Sequence, residues 1–306
     1  MHKSVLLNEC LEYLNLEENN IIVDCTLGYG GHSSEILKRI KRGFLFAFDQ
    51  DSDAITASNV KLSEIGNNYE IVRSNFVNLQ EELAKRKIIK VDGILFDLGV
   101  SSPQLDETDR GFSFHNDAKL DMRMDQTSEM SAYEVVNTYP YEKLIDIFYR
   151  YGEEKYASGI ANRIIKARSE KPIVTTLELV EVIKTGVPEK YKREKHPARK
   201  VFQAIRIEVN KELDVFESAL RQALDLLSVG GRICVITFHS LEDKICKQMF
   251  KENSSVDKAL VNLPIIPEAY LPKFKIIATI DPGNEELEDN NRSRSAKLRV
   301  IERIKE

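Results

Sequence analysis

A glycine-rich segment near the amino terminus has the residue types of a nucleotide-binding turn. Residues 24–33 read DCTLGYGGHS, after the apolar run 21–23 and before residues 33–40, whose apolar positions have helical spacing. Glycine lets the backbone approach a ligand closely and permits positive φ, and a helix that starts after the turn offers free N–H groups. The spacing therefore predicts a strand, a ligand-binding turn and a helix.

Two classes of cofactor fit this turn, and a plain strand–helix turn without a ligand is the third interpretation. A dinucleotide fold favours G-x-G-x-x-G or G-x-G-x-x-A. Gly28 and Gly30 match that motif, but Ser33 stands at its last position. An acid, three spacers and G-x-G is typical of folds that bind S-adenosylmethionine (AdoMet), and Asp24 supplies the acid.

Further candidate ligand contacts follow the apolar strands predicted downstream. Asp49 follows the run 44–48, about 20 residues beyond the glycines, where nucleotide folds place an acceptor for a ribose hydroxyl. The alternative is that Asp49 ends its strand or caps the next helix. Phe76 follows the strand 69–73 and is either an adenine contact or a core residue. Asp97 ends a fourth strand, so all three would lie at the carboxyl edge of one sheet.

The elements that position these residues predict an α/β fold. Apolar strands alternate with helices over the first hundred residues, which is typical of a doubly wound, Rossmann-like parallel sheet. We assign residues 1–108 and 207–306 to this discontinuous sheet domain and residues 109–206 to an inserted, mostly helical domain. The sheet resumes after one long amphipathic helix, with the expected elements at 208–227 (helix), 232–238, 274–280 and 297–304 (strands).

Composition favours a globular cytoplasmic protein. The chain has 306 residues, of which 42% are hydrophobic and 30% charged, so it can bury a core. No run of apolar residues is long enough to span a bilayer, and the first residues do not resemble a signal peptide. The four cysteines form no C-x-x-C pair and no zinc spacing, so we expect reduced cysteines and no metal site.

Local charge is compatible with a nucleic-acid partner although the net charge is −5. Residues 190–200 read KYKREKHPARK and residues 292–297 read RSRSAK, and either basic stretch is a phosphate contact or only a solvated face. Phe112, Phe114 and Phe238 are candidates for stacking on an unpaired base, with core packing as the alternative.

Several longer motifs together resemble one family. The amino-terminal HKSVLL, the turn GYGGHS and the segment DGILFDLGVSSPQLD over 92–106 carry the resemblance. RGFSF, LDMRMD, HPA, FQAIRI, TFHSLED and RSRSAKLR continue it nearly to the end of the chain. The chain is similar to the MraW-type methyltransferases of bacterial small-subunit ribosomal RNA. That resemblance implies AdoMet as cofactor, S-adenosylhomocysteine as product and 16S rRNA as partner. Within the RNA it implies the exocyclic N4 of cytidine 1402, in ribosomal RNA numbering, as the methylated atom.

The resemblance also implies which residues contact the cofactor. Gly30, Gly31 and His32 fall on the family's AdoMet-binding turn, and Asp49 falls on its ribose-binding acid. The remaining implied contacts are Phe76, Asp97 and Gln104. Tyr29 departs from the pattern, since the family more often has Arg at that position.

Direct in-line methyl transfer requires no covalent enzyme intermediate, so alignment of the two reacting atoms and acceptors for the amino N–H are the expected contributions. Asp97, Ser102 and His239 are the catalytic candidates. Asp97 alternatively serves only the cofactor, and His239 alternatively only caps its helix.

Two other functions remain open on the residues alone. An NAD-dependent oxidoreductase is disfavoured by Ser33 and by the late strand pair. A noncatalytic ribosome-assembly factor is disfavoured by the intact glycines and by the acids at the strand ends.

Overall fold

A computed structural model describes residues 4–100, 108–194, 196–256, 260 and 264–306 of the protein. Within these residues seven strands form one sheet. The strands are β1 (Ile21–Asp24), β2 (Phe44–Asp49), β3 (Tyr69–Arg73), β4 (Val91–Asp97), β5 (Leu227–Thr237), β6 (Phe274–Ile280) and β7 (Lys297–Arg303).

The strand order confirms the Rossmann-like α/β class. The sheet has the order β3-β2-β1-β4-β5-β7-β6, and its first five strands run parallel. This 3-2-1-4-5 arrangement is that of a doubly wound sheet, in which ligands bind outside the carboxyl ends of the strands. The predicted late strand pair is also confirmed, since β7 lies antiparallel between β5 and β6.

Both faces of the sheet are covered, as the continuous apolar runs predict. On β2, Leu45 and Ala47 pack in one hydrophobic cluster, whereas Phe46 and Phe48 pack in another. Successive side chains of a strand point to opposite faces, so these clusters lie on the two sides of the sheet. Because the faces of the sheet are covered, the polar groups at the ends of the strands are the part of the sheet that is suited to bind a ligand.

Thirteen α-helices are found in the described ranges, and none of them is long and apolar enough to cross a bilayer. They are α1 (Leu7–Tyr13), α2 (Gly31–Arg39), α3 (Ser52–Ser63), α4 (Leu79–Lys85), α5 (Ala132–Thr138), α6 (Tyr141–Arg150), α7 (Ala157–Glu170), α8 (Thr176–Thr185), α9 (Glu189–Glu194), α10 (Ala198–Asn210), α11 (Glu212–Leu226), α12 (Ser240–Asn253) and α13 (Asn284–Asp289).

The chain folds as two compact units. The sheet unit comprises Met1–Gly99 and Leu213–Glu306, and the helical unit comprises Val100–Glu212. The helical unit has its own core, to which α6 contributes Leu144 and its neighbours Ile147 and Phe148 at the spacing of one helix face. The insertion was expected at residues 109–206. The helical unit is longer at both ends, since it runs from Val100 to Glu212.

The single helix expected over residues 208–227 is wrong. One helix ends at Asn210, Lys211 adopts a left-handed conformation with φ 49°, and a second helix starts at Glu212. The Asn210 side chain accepts a hydrogen bond from the Met124 amide and donates one to the Met122 carbonyl. The spacing of apolar residues over 208–227 gives no indication of this tertiary contact at the break.

The expected start of the fifth strand is also wrong. It begins at Leu227 rather than at residue 232, so Gly230 and Gly231 lie within the strand instead of ending a helix. Gly230 has φ 83°, and the pairing with β4 shifts register between Val91 and Gly93. A bulge in the pairing accommodates the two glycines.

Candidate functional site

The turn after β1 is built on a buried acid. Asp24 is fully buried, and its carboxylate accepts a 2.7 Å hydrogen bond from the Ser33 hydroxyl. It also accepts bonds from the amide and the hydroxyl of Thr26, at 3.0 and 3.3 Å. These bonds connect the end of the strand with the first turn of α2. Asp24 therefore holds the two ends of the glycine segment together. Without its carboxylate, the donors of Thr26 and Ser33 would lose their acceptor, which costs free energy in a buried site.

The glycines are needed for the backbone path between those ends. Gly28 and Gly30 have φ 49° and 72°, a left-handed conformation that most residues avoid. Gly30 is the residue before α2, so the free N–H groups of that helix follow directly. The Ser58 hydroxyl of α3 donates a 2.6 Å bond to the Gly28 carbonyl and fixes the turn from a second element.

Asp49 contacts this turn directly. Its carboxylate accepts hydrogen bonds from the amides of Gly28 (2.8 Å) and Asp51 (2.9 Å), one to each oxygen. Burial raises the pKa of Asp49 to about 6, although the two amides favour the ionised form and oppose the rise. Helix capping, the alternative considered for Asp49, is performed by Asp51, whose side chain accepts from the Asp53 amide. The amide of Gln50 also bonds this carboxylate, which still retains acceptor capacity suited to a hydroxyl donor.

His32 and Asp97 form a pair at the neighbouring strand end. The Nδ1 atom of buried His32 lies 3.4 Å from an Asp97 carboxylate oxygen, and its Nε2 atom lies 3.2 Å from the Val5 carbonyl. Burial lowers the pKa of His32, which favours the neutral ring. The Asp97 amide donates a 2.7 Å bond to the Thr26 hydroxyl, so the ends of β1 and β4 are linked.

Asp97 lies in strongly acidic surroundings. Burial raises its pKa to about 8, and three acids add to this rise: Asp24, Glu242 and Glu286. The ionised carboxylate is therefore disfavoured in the free protein near neutral pH. A cation bound beside Asp97 would stabilise the ionised form.

Ser4 and Val5, near the amino terminus, pack on the same turn. A Cβ placed on Gly31 would lie 1.9 Å from the Ser4 hydroxyl oxygen, so the space that this glycine leaves is occupied by Ser4. The Leu6 amide donates a 2.9 Å bond to the Glu286 carboxylate. Sequence reasoning treated the amino terminus only as a family motif, and no local pattern indicates this packing.

Phe76 begins a short 3₁₀ helix after β3 and is half-buried. Its ring meets the edge of buried Phe96 at 5.8 Å between ring centres, with an interplanar angle of 85°. The core contact considered for Phe76 is therefore present, and the exposed part of the ring is left for an adenine contact, which stays a prediction.

His239 precedes α12 and forms a reciprocal cap with Glu242. The His239 ring accepts from the Glu242 amide, and a Glu242 carboxylate oxygen accepts bonds from the amides of His239 (3.3 Å) and Phe238 (2.8 Å). The capping alternative is thus observed, and a chemical role stays a prediction. The other two residues expected here, Ser102 and Gln104, lie outside the described residues.

The structure brings five residues of the expected site and its turn together. Asp49 accepts a hydrogen bond from Gly28, His32 pairs with Asp97, and Gly30 precedes the helix that contains His32. Sequence reasoning missed the supporting groups Thr26, Asp51 and Ser58. A short side chain two residues after Asp24 was the one available signal, since Asp often bonds the amide two positions on. The arrangement offers acceptors for ribose hydroxyls and acidic surroundings for a cation.

The chain is similar to known proteins along its whole length. The sequence profile described as the MraW methylase family matches residues 1–304. A protein of Exiguobacterium sibiricum named Ribosomal RNA small subunit methyltransferase H is 55% identical, over 100% of this chain and 99% of its own.

Two solved structures were also matched. An rRNA methylase from Streptococcus thermophilus has a TM-score of 0.45 and 13% identity, over 98% of this chain and 94% of that chain. A putative rRNA-methylase from Clostridium thermocellum has a TM-score of 0.47 and 14% identity, over 100% and 98%. The profile match and the 55% identical relative carry the assignment. This chain belongs to the MraW methylase family.

Proposed function

We propose that this protein transfers a methyl group from AdoMet to the exocyclic N4 of a cytidine in 16S rRNA, in the cytoplasm. The cytidine is position 1402 in ribosomal RNA numbering. The observation that carries the proposal is family membership over residues 1–304, with a full-length relative named for the small-subunit RNA. Family membership also favours methyl transfer over the NAD-dependent oxidation considered from the glycine turn.

The described residues fit AdoMet. Asp49 is a half-buried acceptor fixed by the glycine turn, and we assign it to the ribose hydroxyls. Gly30, Gly31 and His32 would hold the cofactor along the turn, and Phe76 would contact the adenine. The acids around Asp97 suit a ligand with positive charge. Gln104, outside the described residues, completes the proposed set.

AdoMet, when bound, supplies the electrophilic methyl group. The protein must hold the cytosine amino nitrogen in line with it, about 3–3.5 Å from the carbon, which is the main source of acceleration in such reactions. An N–H acceptor then stabilises the positive charge that develops on the nitrogen. Our candidates are Asp97 at the end of β4, His239 after β5, and Ser102, which lies outside the described residues.

We assign RNA recognition to the helical insertion, expected at residues 109–206. Arg193 and Arg199 of the basic stretch are exposed, as a phosphate contact requires. Of the three stacking candidates, Phe112 is only 5% exposed and serves the core, whereas Phe114 and Phe238 are half-buried. Arg294 is exposed in the second basic stretch.

The test is transfer of labelled methyl from AdoMet to unmodified small ribosomal subunits and, separately, to naked 16S rRNA, followed by nucleoside analysis. We expect N4-methylcytidine with the wild type and a large loss with Asp49→Ala. The control is Asp225→Ala, which removes an exposed acid of the same unit. AdoMet binding without transfer to either RNA would refute the proposed substrate and favour a noncatalytic assembly role.

A further inference from the structure

Three aromatic side chains lie against one another in the helical unit. The rings of Phe114 and His196 are stacked, with centres 4.6 Å apart and an interplanar angle of 24°. His115 lies 4.4 Å from Phe114 and 5.4 Å from His196. We call Phe114, His115 and His196 the ring cluster. The catalytic and cofactor assignments above use none of these residues.

Neighbouring elements support the ring cluster through packing and hydrogen bonds. The buried ring of Phe202 on α10 meets the edge of Phe114 at 5.7 Å. The loop that follows His115 is bound to the start of α8, because Thr176 donates to the carbonyls of Asn116 (2.6 Å) and Ala118 (2.8 Å). The ring positions are thus defined before any ligand binds, which limits the entropy lost on binding.

The start of α10 fixes the His196 ring of the cluster. The His196 Nδ1 atom accepts a hydrogen bond from the Ala198 amide at 3.4 Å, and the Arg199 amide bonds the His196 carbonyl at 3.3 Å. These contacts orient the imidazole on the face of Phe114. They also place the exposed Arg199 three residues after the stacked ring.

The cluster is accessible, unlike the rest of the aromatic packing around it. His115 is exposed and both Phe114 and His196 are half-buried, whereas Phe202 is 3% exposed. Burial lowers the pKa of His196, and His115 and Lys184 lower it further. The His196 ring is therefore neutral near pH 7, so it is suited to stack on another π-system rather than to pair with phosphate.

We propose that the ring cluster is a stacking surface for an unpaired base of the RNA substrate. This inference rests on the proposed function, since it requires an RNA partner. Bases stack on aromatic rings without regard to sequence, and nearby cations hold the backbone. Removing one stacked base contact typically weakens RNA binding by about 5- to 150-fold.

The test uses the full chain and a fluorescent single-stranded oligoribonucleotide, with binding followed by anisotropy at several salt concentrations. The His115→Ala/His196→Ala variant should lose affinity within that range, because it removes two of the three rings on which a base would stack. The His115→Phe/His196→Phe variant should retain binding, because it keeps both rings. AdoMet affinity, measured by calorimetry, should be the same in all variants.

Tyr149→Ala is the matched control, since Tyr149 is an aromatic residue of the same unit with 68% of its surface exposed. It should bind the oligoribonucleotide as the wild type does. Equal binding by the double alanine variant would overturn the proposal, as would an equal loss in Tyr149→Ala. If the wild-type protein neither binds nor methylates RNA, the proposed function itself would be overturned. Should the double variant fold poorly, His115→Ala alone at the exposed position gives the same comparison.

Discussion

The glycine turn of the sheet unit and the ring cluster of the helical unit are built in opposite ways. Around the turn, buried acids accept hydrogen bonds from backbone and hydroxyl groups, and Asp24 has no exposed surface. In the ring cluster, partly exposed rings stack on one another, and the exposed residues Arg193 and Arg199 stand three positions before and after His196 in the chain. A buried polar network fixes one geometry for a small cofactor, because each unsatisfied group costs free energy. An exposed surface tolerates variation, as binding to a flexible single strand requires.

The largest expected effect comes from removing the buried acid of the turn. Asp24→Ala leaves the Ser33 hydroxyl and the Thr26 amide without their acceptor, so we expect a loss of roughly 2–5 kcal/mol in the free energy of unfolding. AdoMet binding should be abolished. Urea denaturation and calorimetry measure the two effects. Asp225→Ala, at an exposed position, should change neither, and equal stability of the two variants would show that the network is not what holds the turn.

The second-largest expected effect distinguishes the roles of two neighbouring acids, Asp49 and Asp51. Asp49→Asn should weaken AdoMet binding by about 10- to 100-fold, the range for losing a hydrogen bond to a charged group. Asp51→Asn should leave AdoMet affinity nearly unchanged, since Asp51 caps α3. Calorimetry with AdoMet measures both. A greater loss of affinity in the Asp51 variant would contradict the assignment of Asp49 to the ribose.

Cofactor binding should depend on pH through Asp97. Its carboxyl is protonated in the free protein below a pKa of about 8, and a bound cation favours ionisation. We expect AdoMet affinity to rise by up to about tenfold per pH unit as pH approaches 8 and then to level off. In Asp97→Asn the part of the rise above pH 7 should disappear, because Asp49, with a pKa of about 6, is already ionised there.

The same carboxyl gives an independent prediction for the free protein. Its folded pKa, about 8, lies above the unfolded value of about 3.9, so the stability linked to its proton is present below pH 4 and lost as pH rises through 8. Asp97→Asn should raise the melting temperature relative to wild type more at pH 9 than at pH 5, by at least about 2–4 °C. A difference that does not vary with pH would contradict the raised pKa.

The smallest effect tests the charged part of the helical unit. Arg193→Ala combined with Arg199→Ala should make the slope of log RNA affinity against log salt shallower by about 1.4, since each phosphate contact on a single strand contributes about 0.7. AdoMet affinity should stay the same. Arg42→Ala, which removes an arginine with 69% exposure from the sheet unit, is the control. An unchanged salt slope in the double variant would remove these arginines from the RNA surface.

Much of the sheet unit could be predicted from the sequence, because its central strands β1, β2 and β4 are short apolar runs with both faces buried. The bounds expected for the strands at residues 69–73 and 274–280 agree with the structure, as does the expected end of the fourth strand at Asp97. Residues 175–178 read TTLE, a pattern typical of a capping box, and the side chains of Thr175 and Glu178 do bond the backbone reciprocally. The helix break at Lys211 was not, because the Asn210 contacts that accompany it come from residues far away in the chain.

The sequence by itself determined the order of strands and helices, the glycine turn, the acids at the strand ends and the resemblance to a methyltransferase family. These are local properties, since burial on two faces and positive φ restrict which residues occupy each position. Tertiary structure alone decided what each acid does: Asp24 anchors the turn, Asp49 contacts it and Asp51 caps the helix. It also joined Phe114 and His115 to His196, about eighty residues away in the chain. Hydrogen-bond partners and ring contacts between distant residues depend on how the chain packs, and residue types and spacing do not encode that packing locally.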